Sequence, residues 1–126
     1  MILIDSSGWL EFFTGGPLAS EYAHYLRNLD GVVTPTIVLY AVYKVIKRQR
    51  GEEEALAAAA QVGKTRLVPL TDSIALTAAD VSLMHQIAMA DAIVYATALT
   101  EGAKLVTSDA DLSDLPGVSY LKKSHS

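Results

Sequence analysis

Short apolar runs alternate along this chain with longer segments of helical periodicity, and that alternation constrains the fold more than any other feature. ILI before Asp5, GVVT at 31–34, RLVPL ending near Pro69, KLVT at 104–107 and VSYL at 118–121 are the strand candidates. ILI is apolar at successive positions, as a strand covered on both faces of a parallel sheet is. Between the runs lie helical segments. Ser7 to Phe13 sets Trp9, Phe12 and Phe13 at helical spacing and is closed by Gly15, Gly16 and Pro17. A second helix is predicted from about Leu18 to Leu29. A third runs from Pro35 to about Arg50, with Thr34 offering a capping hydroxyl and Pro35 a preformed first turn. EEEALAAAAQV follows with an acidic first turn, then a helix over 72–88 opened by Asp72, then one from about Ala90 to Thr100 ended by Gly102. The alternation predicts an α/β fold with a central, mostly parallel sheet of four or five strands flanked by helices.

A length of 126 residues fits a single domain over 1–126 and leaves no room for a separate substrate domain, so one site does the work. The hydrophobic share of 51% and mean hydropathy of +0.28 predict that a partner covers some apolar surface. Absence of cysteine excludes disulfides, thiolate metal sites and cysteine nucleophiles, and fits a cytoplasmic protein. No apolar run approaches about 18 residues and MILID has no leader character, so secretion and membrane spanning are not expected. A formal charge of −4 argues weakly against nucleic-acid binding by overall attraction. Positive charge is nonetheless gathered in KVIKRQR at 44–50, and a carboxylate cluster that holds a cation would account for part of the negative total.

In open parallel sheets, ligands bind beyond the carboxyl ends of the strands. Asp5 and Asp109 both fall there, and Asp91 opens a helix that feeds directly into KLVT. Each acid has a plainer reading: Asp5 and Asp91 as helix N-caps, Asp109 as a turn aspartate in TSDAD. The case for a site rests on all three meeting. Such a cluster suits Mg²⁺ or Mn²⁺, which take hard oxygen ligands, relieve mutual carboxylate repulsion, orient a phosphate and acidify a water for phosphodiester hydrolysis.

Four stretches, IDSSGWLEFF, VVTPTIVLYAVYK, MADAIVYATAL and KLVTSDADLSDLPGV, stand in the order and spacing of a known family across about 120 residues. Through them the chain resembles PIN-domain ribonuclease toxins of the VapC type. The resemblance implies a PIN-like (Rossmann-like) three-layer fold and a four-acid metal site. It also implies Mg²⁺-dependent endoribonuclease activity, with Mn²⁺ as a substitute, restrained by a cognate VapB-type antitoxin, and a homodimer. Asp5 matches the first acid, Asp91 the third and Asp109 the fourth. Asp111 follows as an outer participant, and Ser6, Ser7 and Thr107 match hydroxyl positions that orient ligands or waters. The second acid is missing. Where the family reads V-L-x-E-V-x-K, this chain reads VLYAVYK, with Ala41 in the glutamate position. Alanine has no oxygen to offer, so the resemblance implies an impaired or inactive nuclease. A toxin degenerate in nature and a substitution made to inactivate a toxic nuclease both account for Ala41; the intact pattern around it favours the second.

Helical spacing from Ala41 puts Lys44 and Arg48 on the same face, beside the expected metal rim, where they serve either as RNA phosphate contacts or as an ordinary basic helix end. His24, His85 and His125 share no ligand spacing and carry no assigned role. Trp9, Phe12, Phe13, Tyr22 and Tyr25 read first as core, and the resemblance adds that exposed members of this set meet the antitoxin. The tail LKKSHS reads as a frayed basic end. Two alternatives stand beside the toxin: a non-catalytic PIN scaffold that binds antitoxin and takes part in regulation, and a phosphoacceptor receiver domain. The latter fits poorly, because paired acids after the first strand are lacking.

Overall fold

The computed structural model describes residues 1–123. Its sheet is built from β1 (Ile2–Ile4), β2 (Val32–Pro35), β3 (Arg66–Val68), β4 (Lys104–Thr107) and β5 (Ser119–Tyr120) in the order β3-β2-β1-β4-β5. Every pairing is parallel, including Leu3 opposite Val33 on one side and Leu105 on the other. The expected α/β architecture is therefore present, with a sheet that is wholly parallel.

Among the described residues six helices flank it: α1 (Ser6–Thr14), α2 (Ala19–Tyr25), α3 (Thr36–Arg50), α4 (Glu52–Val62), α5 (Asp72–His85) and α6 (Met89–Glu101). Consecutive helices pack as the pairs α1/α2, α3/α4 and α5/α6. β1 is the middle strand, and Leu3 and Ile4 are fully buried. α3 turns Val38, Val42 and Ile46 inward at four-residue intervals, which leaves Tyr40, Lys44 and Arg48 facing out. α6 is buried continuously from Ala92 to Ala98, which anchors the helix directly after a first turn whose Met89 and Ala90 are exposed. Among the described residues, no helix is long and apolar enough to cross a membrane.

Three local expectations are corrected. Thr34 does not cap α3; it is fully buried, and its hydroxyl meets that of Thr65 at 2.7 Å, while Pro35 ends β2 and occupies the cap position without a side-chain bond. α5 opens at Asp72 as expected, with Thr71 as its cap accepting from the Ile74 N–H at 3.2 Å, but it ends at His85 rather than at 88. α2 stops at Tyr25, and the chain reaches β2 through a separate 3-10 turn at Leu29–Gly31. Of the LKKSHS tail, Lys123 is placed against the buried Glu11 carboxylate at 3.3 Å, which replaces the frayed end at that residue; 124–126, with His125, lie outside the described residues.

Candidate metal centre

The chain lays down β1, β2 and β3 in one direction across the sheet and then returns to add β4 and β5 on the other side of β1. Connections leaving the C-terminal ends of β1 and β4 therefore diverge, and a crevice opens between them, as it does at the switch point of doubly wound sheets. Asp5 follows the last residue of β1, and Asp109 lies two residues past β4.

Asp5 is buried and held on every side. Thr107 Oγ1 donates to Asp5 Oδ2 at 2.6 Å, Ser7 Oγ donates to Oδ1 at 2.6 Å, and the Gly8 N–H reaches Oδ1 at 3.3 Å. The cap reading of Asp5 is thus correct, and it coexists with a place in the crevice. Burial pushes the Asp5 carboxyl above the ordinary carboxylate range, the three hydrogen bonds pull against that, and the charge of Asp109 pushes it further up. Thr107 also accepts from the Asp109 N–H at 2.9 Å, so one hydroxyl ties the two strand ends together.

Asp109 caps the 3-10 turn Ala110–Leu112, accepting from the Asp111 N–H at 2.9 Å. That turn brings Asp111 round beside its neighbour. Asp91 is not a cap: Ala88 holds that position, and Asp91 sits in the first turn of α6, where the helix dipole favours negative charge. Carboxylate oxygens of Asp91, Asp109 and Asp111 lie within 4.8 Å of one another. Asp111, expected at the periphery, thus belongs to the tightest group, and Asp5 stands just outside it. Asp91 is pushed up to about 7, first by burial, then by the charge and hydrogen bond of Asp109 and the charges of Asp111 and Asp5. Among the described residues none of these four acids forms an ion pair with a basic side chain. Uncompensated negative charge on hard oxygen donors in a crevice fits a divalent cation such as Mg²⁺ or Mn²⁺ and does not fit a soft-metal or anion site.

A cavity of about 270 Å³ opens alongside, lined by Asp5, Ser6 and Asp91 with Tyr40 and Ala41 of α3 and Met89 of α6. Ala41 therefore faces the same space as two of the acids and presents only a methyl group there. Ser6 lies on this wall, whereas Ser7 serves Asp5 directly. Lys44 and Arg48 are exposed further along α3.

Sequence reasoning missed a further layer. Tyr22, fully buried, bonds Ser108 Oγ at 2.7 Å, and the Ser108 N–H donates to Ser7 Oγ at 3.0 Å, so α2 supports the Asp5 network from below. Burial, and then the nearby Asp5 and Glu11 charges, outweigh the Ser108 bond and push the Tyr22 hydroxyl up to about 12, keeping it neutral. Gly8 makes this approach possible, because a Cβ there would fall 2.3 Å from Tyr22 Cε1. Helical periodicity marked Tyr22 as core, but nothing local pointed to its polar end.

The PIN domain family model matches residues 2–118. No curated protein sequence matched. Among solved structures, the chain is similar to one described as a toxin–antitoxin complex from Klebsiella pneumoniae, with a TM-score of 0.83 at 19% identity over 98% of this chain and 100% of that one. It is also similar to VapC20 of Mycobacterium tuberculosis, described as a toxin that cleaves the sarcin–ricin loop, with a TM-score of 0.79 at 21% identity over 98% and 100% of the two chains. VapBC2 of Rickettsia felis, bound to a fragment of promoter DNA, gives a TM-score of 0.75 at 14% identity over 97% and 98%.

Proposed function

The chain belongs to the PIN domain family, and on that premise we propose that it is the toxin of a type II toxin–antitoxin pair, a divalent-metal-dependent endoribonuclease of the VapC type impaired by Ala41. The observation that carries this reading is the meeting of Asp91, Asp109 and Asp111 within 4.8 Å, beside the buried Asp5, at the switch point of a PIN sheet.

Asp91 and Asp109 are the principal metal ligands, Asp111 completes the acidic rim, and Asp5 is a fixed carboxylate whose geometry Ser7 and Thr107 set. Mg²⁺, or Mn²⁺ in its place, supplies charge neutralisation for a phosphate and acidifies water when bound. Asp5 and Asp91 orient the water that attacks phosphorus as the bond to the leaving oxygen breaks. Lys44 and Arg48 hold flanking phosphates. The glutamate expected at 41 would stand on the wall shared with Asp5 and Asp91, where its carboxylate would receive the proton of the attacking water; alanine leaves that wall without an acceptor. A cognate VapB-type antitoxin is the proposed partner. The groove among α1, α3 and α4, lined by Phe13, Ile46, Arg50, Glu54 and Ala58, supports that. Exposed Leu70, Leu76, Leu83 and Met84 on and around α5 support a homodimer.

The test is Ala41→Glu, assayed on RNA with Mg²⁺ or Mn²⁺ and with chelator. We expect metal-dependent cleavage to rise about 10- to 100-fold or more over the sequence as it stands; no gain sinks this account of position 41. Ala41 also favours a second reading, a non-catalytic scaffold that binds antitoxin, which predicts tight antitoxin binding with either residue and no cleavage from Ala41→Glu.

A further inference from the structure

Two tyrosine–lysine pairs repeat along α3, and their surroundings differ. Tyr43 packs against the core, and Lys47, bonded to its hydroxyl at 3.3 Å, is neutralised by Glu52 at 3.5 Å. That pair is accounted for by folding. Tyr40 is 61% exposed and takes no part in the core, yet it lines the cavity that holds Asp5, Asp91 and Ala41. Lys44 lies 3.3 Å from the Tyr40 hydroxyl and 5.4 Å from its ring centroid, nearer the hydroxyl than the ring centre, and forms no ion pair among the described residues.

A large aromatic ring left mostly in solvent on the wall of a largely apolar cavity that also carries two carboxylates, beside an uncompensated ammonium, matches the demands of one ligand class. Aromatic faces stack on nucleobases whatever their identity, and cations track the backbone between them. Stacking on a side chain requires a base that has left its own helical stack, which excludes the interior of a duplex. Met89, 73% exposed, and Ile37 extend the apolar wall next to Tyr40. We propose that Tyr40 is a nucleobase-stacking residue for single-stranded or looped RNA, seated beside the carboxylate crevice, with Lys44 on the adjoining phosphate. The proposal rests on the ribonuclease reading and adds to it a residue role, an aromatic platform for one base with little preference for which base it holds.

Binding measured on the chain with its Ala41, in Mg²⁺, separates the two. The probes are a labelled mixed-sequence single-stranded oligoribonucleotide and an abasic oligonucleotide of the same length. Tyr40→Ala is expected to weaken RNA binding about 5- to 100-fold, the loss typical of one stacked base, while Tyr40→Phe stays within about 3-fold. The abasic probe should bind the parent and Tyr40→Ala alike, and Lys44→Ala should weaken both probes. Because the ring is exposed, melting temperatures of the parent and Tyr40→Ala should coincide. RNA binding by Tyr40→Ala as tight as the parent's, or an equal loss on the abasic probe, overturns the stacking role and leaves the ribonuclease reading intact. A parent chain that binds neither probe overturns both.

Discussion

Replacing Thr107 with valine keeps the shape of the side chain and removes one hydroxyl from the centre of the candidate site. Thr107 is fully buried; its hydroxyl donates to Asp5 at 2.6 Å and accepts from the Asp109 N–H at 2.9 Å. A buried acceptor stripped of its donor costs about 1–3 kcal/mol, and the orphaned N–H adds to it, so the loss should be about 3 kcal/mol. In a domain of this size that corresponds to roughly 10 °C in Tm. Thr34→Val is the internal control, since Thr34 is equally buried. The Thr65 hydroxyl that Thr34 meets already donates to the Val62 carbonyl at 2.7 Å, so losing the Thr34 hydroxyl orphans no donor and should cost about 1 kcal/mol or less. The two variants also differ in pH dependence. Without its Thr107 bond the Asp5 carboxyl is pushed higher still, so the Thr107→Val deficit should grow as pH rises and shrink in acid, whereas that of Thr34→Val should be flat. Urea unfolding at pH 4.5 and pH 7.5 reads both. Equal losses for the two variants, or a pH-independent loss for Thr107→Val, would refute the claim that the Thr107 hydroxyl opposes the upward push of burial on the Asp5 carboxyl.

In the metal-free protein, Asp91 holds its proton up to about 7 against an ordinary value of 3.8. The folded state therefore binds a proton that the unfolded chain has released, and stability should fall as pH climbs through that interval. Mg²⁺ or Mn²⁺ should consequently raise Tm more at pH 8 than at pH 5, and an equal rise at both pH values would count against a carboxylate cation site. Asp91→Asn should raise Tm at pH 8 in chelator by relieving repulsion, and should abolish the rise on adding Mn²⁺; a variant that still responds to Mn²⁺ like the parent excludes Asp91 as a ligand. Gly8→Ala should destabilise by about 1–3 kcal/mol in urea, because its Cβ overlaps Tyr22; a neutral result would contradict the close approach of α1 to α2.

Much of this was legible in the sequence because it is local. Apolar runs mark strands, strand ends in a parallel sheet mark the rim, and Asp5, Asp109 and Asp91 could be placed there from position alone. What escaped depends on contacts between residues remote in sequence. Thr34 has the form of a cap, yet its hydroxyl goes to Thr65 on another element. Asp111 joins the acidic group only because the Asp109 cap winds a 3-10 turn after β4, and turn residues alone do not fix where the following side chain points. Tyr22 carries helical core periodicity, but its hydroxyl partner, Ser108, follows β4 and lies 86 residues further along the chain. Ala41 is the reverse case. Its place in VLYAVYK was read through the resemblance, and the fold sets it on the wall of the cavity that Asp5 and Asp91 also line.

The account turns on a divalent cation held by these carboxylates, and anomalous diffraction from crystals of the chain soaked in Mn²⁺ measures that directly. The prediction is an anomalous peak among Asp91, Asp109 and Asp111, reaching toward Asp5, that disappears in Asp91→Asn. Mn²⁺ bound elsewhere with this crevice empty, or a peak that persists in Asp91→Asn, would contradict it.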